Sequence, residues 1–255
     1  MHRFYLPPAA CAGNTLRLTG REAHHAAHVL RLRGGEPVVV LDGAGNEFAC
    51  ETVNLTRDVV ELRVVKKSLL PPPHCRITLL QALPRGKIIE SIIPKAVELG
   101  VHRLVPLLTE HVVARLDDES AEHKREKWRQ AAIEAIKQCG AAWLPEIEAP
   151  LAIAQFLARK EKPDLSLVGS LQKGRRHLRE VFREFDSHYH RLPESVAAWI
   201  GPEGDFTPEE LQWIRHSGAQ PVSFGPLTLR VETAAIYCLA ILNYELGGPA
   251  APLVD

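Results

Sequence analysis

The chain has 255 residues, 45% of them hydrophobic and 24% charged, with 31 Lys+Arg against 31 Asp+Glu. This composition fits a soluble globular protein and argues against disorder or nucleic-acid binding by net charge alone, so any RNA contact must come from local patches. Cys11, Cys50, Cys75, Cys139 and Cys238 are widely spaced, odd in number and free of a CxxC pair, which argues against a disulfide framework and for a reducing compartment.

No stretch reaches membrane-spanning length, and the opening MHRFYLPPAACAG lacks the apolar core of a signal peptide, so a cytoplasmic location is expected. The first part of the chain carries short runs of strand character at 37–41, 47–51 and 59–65, punctuated by glycine and asparagine in Asp42-Gly43-Ala44-Gly45-Asn46. One helix is expected, at about residues 20–32, with Arg31 and Arg33 at its end. The pattern predicts a small β-barrel over residues 1–70. Three consecutive prolines, Pro71-Pro72-Pro73, then form a semi-rigid break.

From residue 74 to 255 the rhythm becomes strand, helix, strand. A strand at 76–82 precedes Ile88, Ile89, Ile92, Ile93, Ala96, Val97 and Leu99 at helical spacing, with Gly100 as the natural stop. A second strand at 102–107 leads to a charged helix whose apolar stripe runs from Trp128 to Cys139 and ends at Gly140. Further strands are expected at 165–168, 195–200 and 221–224. In WIGPEGDFTPEE, Thr207 reads as an N-cap, Pro208 as the first helical residue, and two glutamates occupy the first turn. The last helix, 232–246, is apolar nearly all round and is expected to be buried. Alternating strands and helices predict an α/β domain with a mostly parallel sheet covered on both faces.

Three loops begin with glycine directly after a strand: Gly169-Ser170-Leu171, Gly201-Pro202-Glu203-Gly204 and Gly225-Pro226-Leu227-Thr228-Leu229. Parallel sheets bind ligands at the carboxyl ends of their strands, so the three loops are expected to share one pocket. Neither GxGxxG nor GxxxxGK[ST] is present, which favours a nucleoside held by backbone groups over a triphosphate. Arg230 stands just before a helix N-terminus, where a cation opposes the helix dipole, and is the best candidate for an anion or substrate contact. His24 and His28 are four apart but lack a third ligand, so no metal is expected. His188-Tyr189-His190 reads as a loop with no role.

Several blocks carry a resemblance: Met1-His2-Arg3-Phe4-Tyr5, His25 through Arg31, Lys95-Ala96-Val97-Glu98-Leu99-Gly100, Trp128 through Glu134 to Gln138-Cys139-Gly140, Ile200 through Gly204, and Leu229-Arg230-Val231-Glu232-Thr233-Ala234. Together they resemble the bacterial ribosomal RNA small subunit methyltransferase E family, of the knotted SPOUT superfamily. The resemblance implies a PUA-like β-barrel, RNA-binding, followed by a SPOUT methyltransferase domain with a C-terminal trefoil knot. It also implies a homodimer, S-adenosylmethionine as cofactor, and methylation at N3 of one uridine in 16S rRNA of the small ribosomal subunit.

By this resemblance the cofactor residues are Gly169, Leu171, Ile200, Gly201, Pro202, Glu203, Gly204, Gly225, Leu227, Leu229 and Arg230. Arg230 and Glu203 are the catalytic candidates, and Arg3, Arg31, Arg33, Arg85, Lys87 and Lys95 the RNA-binding ones. Of these, Arg31 with Arg33 and Arg85 with Lys87 read from the sequence as local basic clusters, as do Lys173, Arg175, Arg176, His177 and Arg179. Three positions depart from the family pattern: Asp205 replaces a common glycine, Pro94 a glutamine, and Ala141 an arginine. The alternative functions are a non-catalytic knotted protein of RNA binding or ribosome assembly, and a SPOUT methyltransferase acting at another RNA site.

Overall fold

The structure is a computed structural model that describes residues 1–56, 58–110 and 117–247. It divides into two compact units, Met1–Pro72 with Ile133–Leu144, and Pro73–Ala132 with the chain from Pro145 onward.

The first unit holds β1 (His2–Tyr5), β2 (Thr15–Thr19), α1 (Gly20–His24), β3 (Pro37–Leu41), β4 (Asn46–Leu55) and β5 (Val59–Leu69). Its sheet runs β1-β3-β4-β5-β2, with β1 parallel to β3 and the other pairs antiparallel. In β2 the period-two alternation buries Leu16 and Leu18 while Thr15, Arg17 and Thr19 face outward. They join Phe4, Val38, Val40, Phe48, Val60 and Leu62 in one core. Register shifts at Ala49/Cys50 and Thr52/Asn54 mark irregularities of the bulge kind, which bend a strand and tighten its twist. The expected barrel is therefore a curled half-barrel: its strand path ends at β1 and β2 and does not close.

The helix expected over 20–32 is also shorter. After α1 the backbone widens into a π-helical turn at His25–Val29, with Leu30 N–H reaching the His25 carbonyl. Arg31 then turns left-handed at φ 54°. Arg31 and Arg33 thus follow the helix instead of ending it.

The second unit comprises β6 (Arg76–Ala82), α2 (Ile88–Glu98), β7 (Arg103–Leu108), α3 (Asp118–Cys139), β8 (Glu146–Ile147), β9 (Leu151–Ala152), α4 (Ile153–Ala158), β10 (Leu165–Gly169), β11 (Arg176–His177), α5 (Leu178–Tyr189), β12 (Ser195–Ile200), α6 (Pro208–His216), β13 (Gln220–Ser223) and α7 (Val231–Leu246). The strands pair in the order β11-β13-β10-β12-β6-β7-β8, with β9 also on β7, and every pairing is parallel.

One face of the sheet packs Leu80, Val105, Leu107, Val168, Ala197 and Trp199 against Ile153 and Phe156 of α4 and Leu211 and Ile214 of α6. Ile77, Leu79, Val196 and Ala198 alternate with these residues and point to the other face, where α2 and α7 pack together. α2 runs through Pro94 and closes as expected at Gly100, φ 75°. Gly100 N–H donates to the Val97 carbonyl and Val101 N–H to that of Ala96, the paired bonds of a Schellman stop.

Two expectations need correction here. α7 buries Ala235, Cys238, Leu239 and Leu242, yet Tyr237 is 45% and Tyr244 84% exposed. Its apolar residues surround the helix, while the sheet and α2 cover only part of that surface. His188 and Tyr189 are the last turn of α5, and His190 caps it in the left-handed conformation.

Part of α3 belongs to the first unit. There Lys137 Nζ bonds Glu22 Oε1 at 2.7 Å, and the Arg3 guanidinium donates to the Gln138 carbonyl at 3.1 Å. Gly45, at φ 91°, leaves room for the Trp143 ring, which a Cβ would approach to 2.4 Å.

Candidate active site

β13, β10 and β12 are neighbours in that order. Being parallel, they bring the three glycine-led loops to one end of the sheet. There the loops surround a cavity of about 530 Å³. Gly169, Leu171, Ile200, Gly201, Pro202, Glu203, Gly225, Leu227, Leu229 and Arg230 all line it. Gly204 lies in the same turn but is not among the lining residues.

The glycines have local reasons. A Cβ on Gly169 would lie 2.6 Å from the Phe224 ring, and one on Gly201 would lie 3.0 Å from Asp205 Oδ1. Gly225 has φ 119°, a backbone conformation closed to other residues. The Gly201 loop is a tight turn in which Asp205 N–H donates to the Pro202 carbonyl at 3.0 Å. It leads into the expected helix start. Thr207 accepts Glu210 N–H, while Glu210 Oε2 accepts Thr207 N–H at 3.0 Å and its Oε1 accepts Glu110 N–H at 2.9 Å. The reciprocal Thr207–Glu210 bonds anchor the base of the loop.

The walls are apolar and incompletely covered. Leu171 is 54% and Leu227 75% exposed although both line the cavity. A flat ring laid between the loops would cover them, gaining roughly 25 cal/mol per Å² of apolar surface removed from water.

Five charged side chains line the same space. Arg230 stands at the N-cap of α7; its carbonyl accepts Ala234 N–H at 2.8 Å, but its guanidinium makes no hydrogen bond or ion pair among the described residues. A guanidinium left unpaired beside a helix N-terminus is poised for an anion. Arg175 donates to the carbonyls of Leu171 and Gln172 and to Ser223 Oγ, tying two of the loops together with its charge unneutralised. Glu203 Oε1 accepts Arg85 N–H at 2.9 Å, linking the β12 loop to the β6 loop. Glu232 contributes a second carboxylate from the first turn of α7. Asp205 stands at φ 64°, and burial pushes its carboxyl above the usual range against a smaller opposing effect of the Phe206 N–H bond.

Sequence reasoning passed over part of this lining. Arg175 reads as one member of a basic run, Asp205 as a departure, and Glu232 as a helix-end carboxylate. Ile88, Ser223, Phe224, Val231 and Ala234 read in the sequence only as parts of strands, helices or resemblance blocks, because only the fold brings them to the cavity. Of the RNA-binding candidates, Arg31, Arg33, Arg85, Lys87 and Lys95 are exposed, while Arg3 is half-buried against the end of α3. A second cavity of similar size opens near the amino ends of β6 and β12, beside Arg103, Glu161 and Phe156. Its central cation is already paired with Glu148 and Glu161, and parallel sheets place ligands at the opposite end. Among the described residues no three His, Cys, Asp or Glu side chains converge as metal ligands.

An α/β unit with three backbone loops at the carboxyl strand ends, joined to a curled β unit, defines the class of RNA methyltransferases with a PUA domain. A family model described as RNA methyltransferase domain matches residues 71–243, and one described as RNA methyltransferase PUA domain matches 18–65. Ribosomal RNA small subunit methyltransferase E of Synechocystis is 32% identical over 95% of this chain and 77% of its own length, and that of Bacillus subtilis 30% over 91% and 90%. Among solved structures, a methyltransferase from Legionella pneumophila with bound S-adenosylmethionine is 31% identical, with a TM-score of 0.85 over 97% of this chain and 98% of that one. The methyltransferase E of Neisseria gonorrhoeae, also with bound S-adenosylmethionine, is 26% identical, with a TM-score of 0.82 over the same shares. The chain belongs to the ribosomal RNA small subunit methyltransferase E family.

Proposed function

We propose that the protein is an S-adenosylmethionine-dependent methyltransferase that modifies N3 of one uridine in 16S rRNA. The observation that carries this reading is the convergence of three glycine-led loops on one cavity with an unpaired Arg230 at its edge. The cavity fits the cofactor: its volume suits a nucleoside, two exposed leucines offer apolar cover, and Gly169 and Gly201 keep their loops close. Leu171, Leu227 and Leu229 would hold the adenine, and the backbone of Gly201 through Gly204, with Gly225, would frame the rest. When bound, S-adenosylmethionine supplies an electrophilic methyl group on a positively charged sulfur.

The chain's own residues then have three tasks. The loops fix the geometry of attack, and such positioning supplies much of a group-transfer rate. Uridine N3 carries a proton that must leave before or during attack, and the free oxygen of Glu203 is the nearest base, while its other oxygen stays on Arg85 N–H. Arg230 stabilises the negative charge that then develops on the uracil ring. A paired uridine hides N3, so the target base enters splayed from its stack.

The remaining readings follow the same division. Residues 1–70 serve as the RNA-binding domain, with Arg3, Arg31 and Arg33, and residues 74–255 as the methyltransferase domain, with Arg85, Lys87 and Lys95 toward the RNA. A trefoil knot is supported by the chain path: α7 follows β13 yet packs on β12 and β6, so residues 224–230 must cross the carboxyl end of β10. A homodimer is supported by the exposed Tyr237 and Tyr244 on α7. No helix among the described residues is long and apolar enough to cross a membrane, which accords with work on ribosomal subunits in the cytoplasm.

The test is incubation of the purified protein with labelled S-adenosylmethionine and small subunits from a strain lacking the modification, with the product mapped by mass spectrometry. A single N3-methyluridine in 16S rRNA is expected. Label elsewhere overturns the target, and no label despite cofactor binding overturns the activity.

A further inference from the structure

Asp205 is an expensive residue to keep where it is. Its backbone is left-handed at φ 64°, a conformation that suits glycine and that aspartate tolerates better than most other residues. Asp205 lines the cavity, and the one hydrogen bond to its carboxylate comes from its own neighbour, Phe206 N–H, at 2.8 Å. Among the described residues it pairs with no cation. Neither guanidinium of the cavity pairs with it: Arg175 donates to Leu171, Gln172 and Ser223, and the unpaired Arg230 side chain does not shift the Asp205 carboxyl. Burial raises the Asp205 carboxyl, and no neighbouring side-chain charge offsets that effect. A partly buried carboxylate without a cation costs folding free energy and returns it when a cation arrives.

We propose that Asp205 is a specificity residue that reads the positive charge on the methionyl portion of the cofactor. The inference rests on the reading of this cavity as the S-adenosylmethionine site. The cofactor carries two positive centres, the sulfonium and the amino-acid ammonium. Its demethylated product, S-adenosylhomocysteine, keeps only the ammonium, and methylthioadenosine, a neutral thioether, has neither. Asp205 therefore separates these three molecules by charge, while the apolar loops hold the adenosine common to all of them. The other ionisable groups that line the cavity, Glu203, Glu232, Arg175 and Arg230, are unchanged in the variants below.

Calorimetric titration of the three molecules into the intact protein and into Asp205→Gly and Asp205→Asn decides the matter. Asp205→Asn removes the charge and keeps a side chain that tolerates the left-handed backbone; Asp205→Gly removes both charge and strain. In both variants the affinity for S-adenosylmethionine relative to methylthioadenosine is expected to fall about tenfold, or about 1.4 kcal/mol. Loss confined to S-adenosylmethionine assigns the contact to the sulfonium, and equal loss for S-adenosylhomocysteine assigns it to the ammonium; either supports the proposal. A thermal melt should show Asp205→Gly at least as stable as the parent, which separates recognition from folding. Equal changes for all three molecules, or tighter S-adenosylmethionine binding in the variants, overturns the proposal and leaves the cofactor reading intact. Failure of all three to bind the parent protein overturns both.

Discussion

Arg230 combines three properties that together point to chemistry: it is charged, it is unpaired among the described residues, and it stands at a helix end whose dipole it opposes. Arg230→Ala should therefore cost little stability and should lower the single-turnover rate about 100-fold. Cofactor affinity measured by calorimetry should stay within a few-fold, because the apolar loop residues proposed to hold the adenosine are untouched. Asp164 shows the opposite case, an ionised group occupied by structure. Its carboxylate accepts both terminal nitrogens of Arg191 and the Glu194 N–H, and the Arg191 bond chiefly holds it below the usual carboxylate range. A depressed carboxyl stabilises the fold above its unfolded value and loses that contribution as pH falls through the folded one. Asp164→Asn should then lower the urea midpoint at pH 7 only modestly, because the partner Arg191 is exposed and the pair is screened by solvent. The difference from the parent should shrink below about pH 4.

At the scale of elements, α6 and α7 differ in what stabilises them. α6 begins in a reciprocal Thr207–Glu210 cap and buries Leu211 and Ile214, so its start and its inward face are both legible locally. α7 carries apolar residues around most of its circumference, and the described residues leave its Tyr237 and Tyr244 uncovered. Tyr237 lies 6.2 Å from the Phe224 ring, so the uncovered face of α7 adjoins the loop that also bounds the cavity. In the proposed homodimer this face is the contact surface. Tyr237→Glu with Tyr244→Glu should yield a monomer in sedimentation equilibrium at micromolar concentration, with an unchanged far-ultraviolet dichroism spectrum. An unchanged mass would remove α7 from the interface.

At the scale of the whole molecule, the chain does not divide cleanly at its three prolines. Residues 133–144 belong to the first unit although they follow much of the second. Their attachment is chemical as well as steric: Lys137, with its side chain 6% exposed, bonds Glu22, and Gly43 and Gly45 leave room for Leu144 and Trp143. Lys137→Met leaves the Glu22 carboxylate half-buried without its cation and should cost about 3 kcal/mol of unfolding free energy. Adding Glu22→Gln should recover part of that loss. Recovery in the double variant, read from paired urea titrations, identifies the ion pair as the source.

Local chemistry was enough to reveal the elements that begin and end on strong signals. Gly100 and Gly140 end helices because each adopts a positive φ, and Thr207-Pro208 begins one because its side chain and ring suit those positions. The apolar strands 195–200 and 76–82 declare a buried parallel sheet because both of their faces are covered. The strand Thr15–Thr19 is not among the expected strands, although its alternation buries Leu16 and Leu18 and leaves Thr15, Arg17 and Thr19 outside. The three glycine-led loops are expected from the sequence to share one pocket, and they do line one cavity; the resemblance carried by their residues indicates the cofactor proposed for it. Local sequence has no access to neighbours that are distant in the chain. Strand order alone decides that β10 lies between β13 and β12, so that Phe224 fills the space left by Gly169 and Arg175 reaches Ser223. Closure or opening of the first sheet depends on whether its edge strands pair, which no single strand can specify. Burial of Asp205 likewise follows from the turn folding back on Gly201, because desolvation is a property of everything packed around a group.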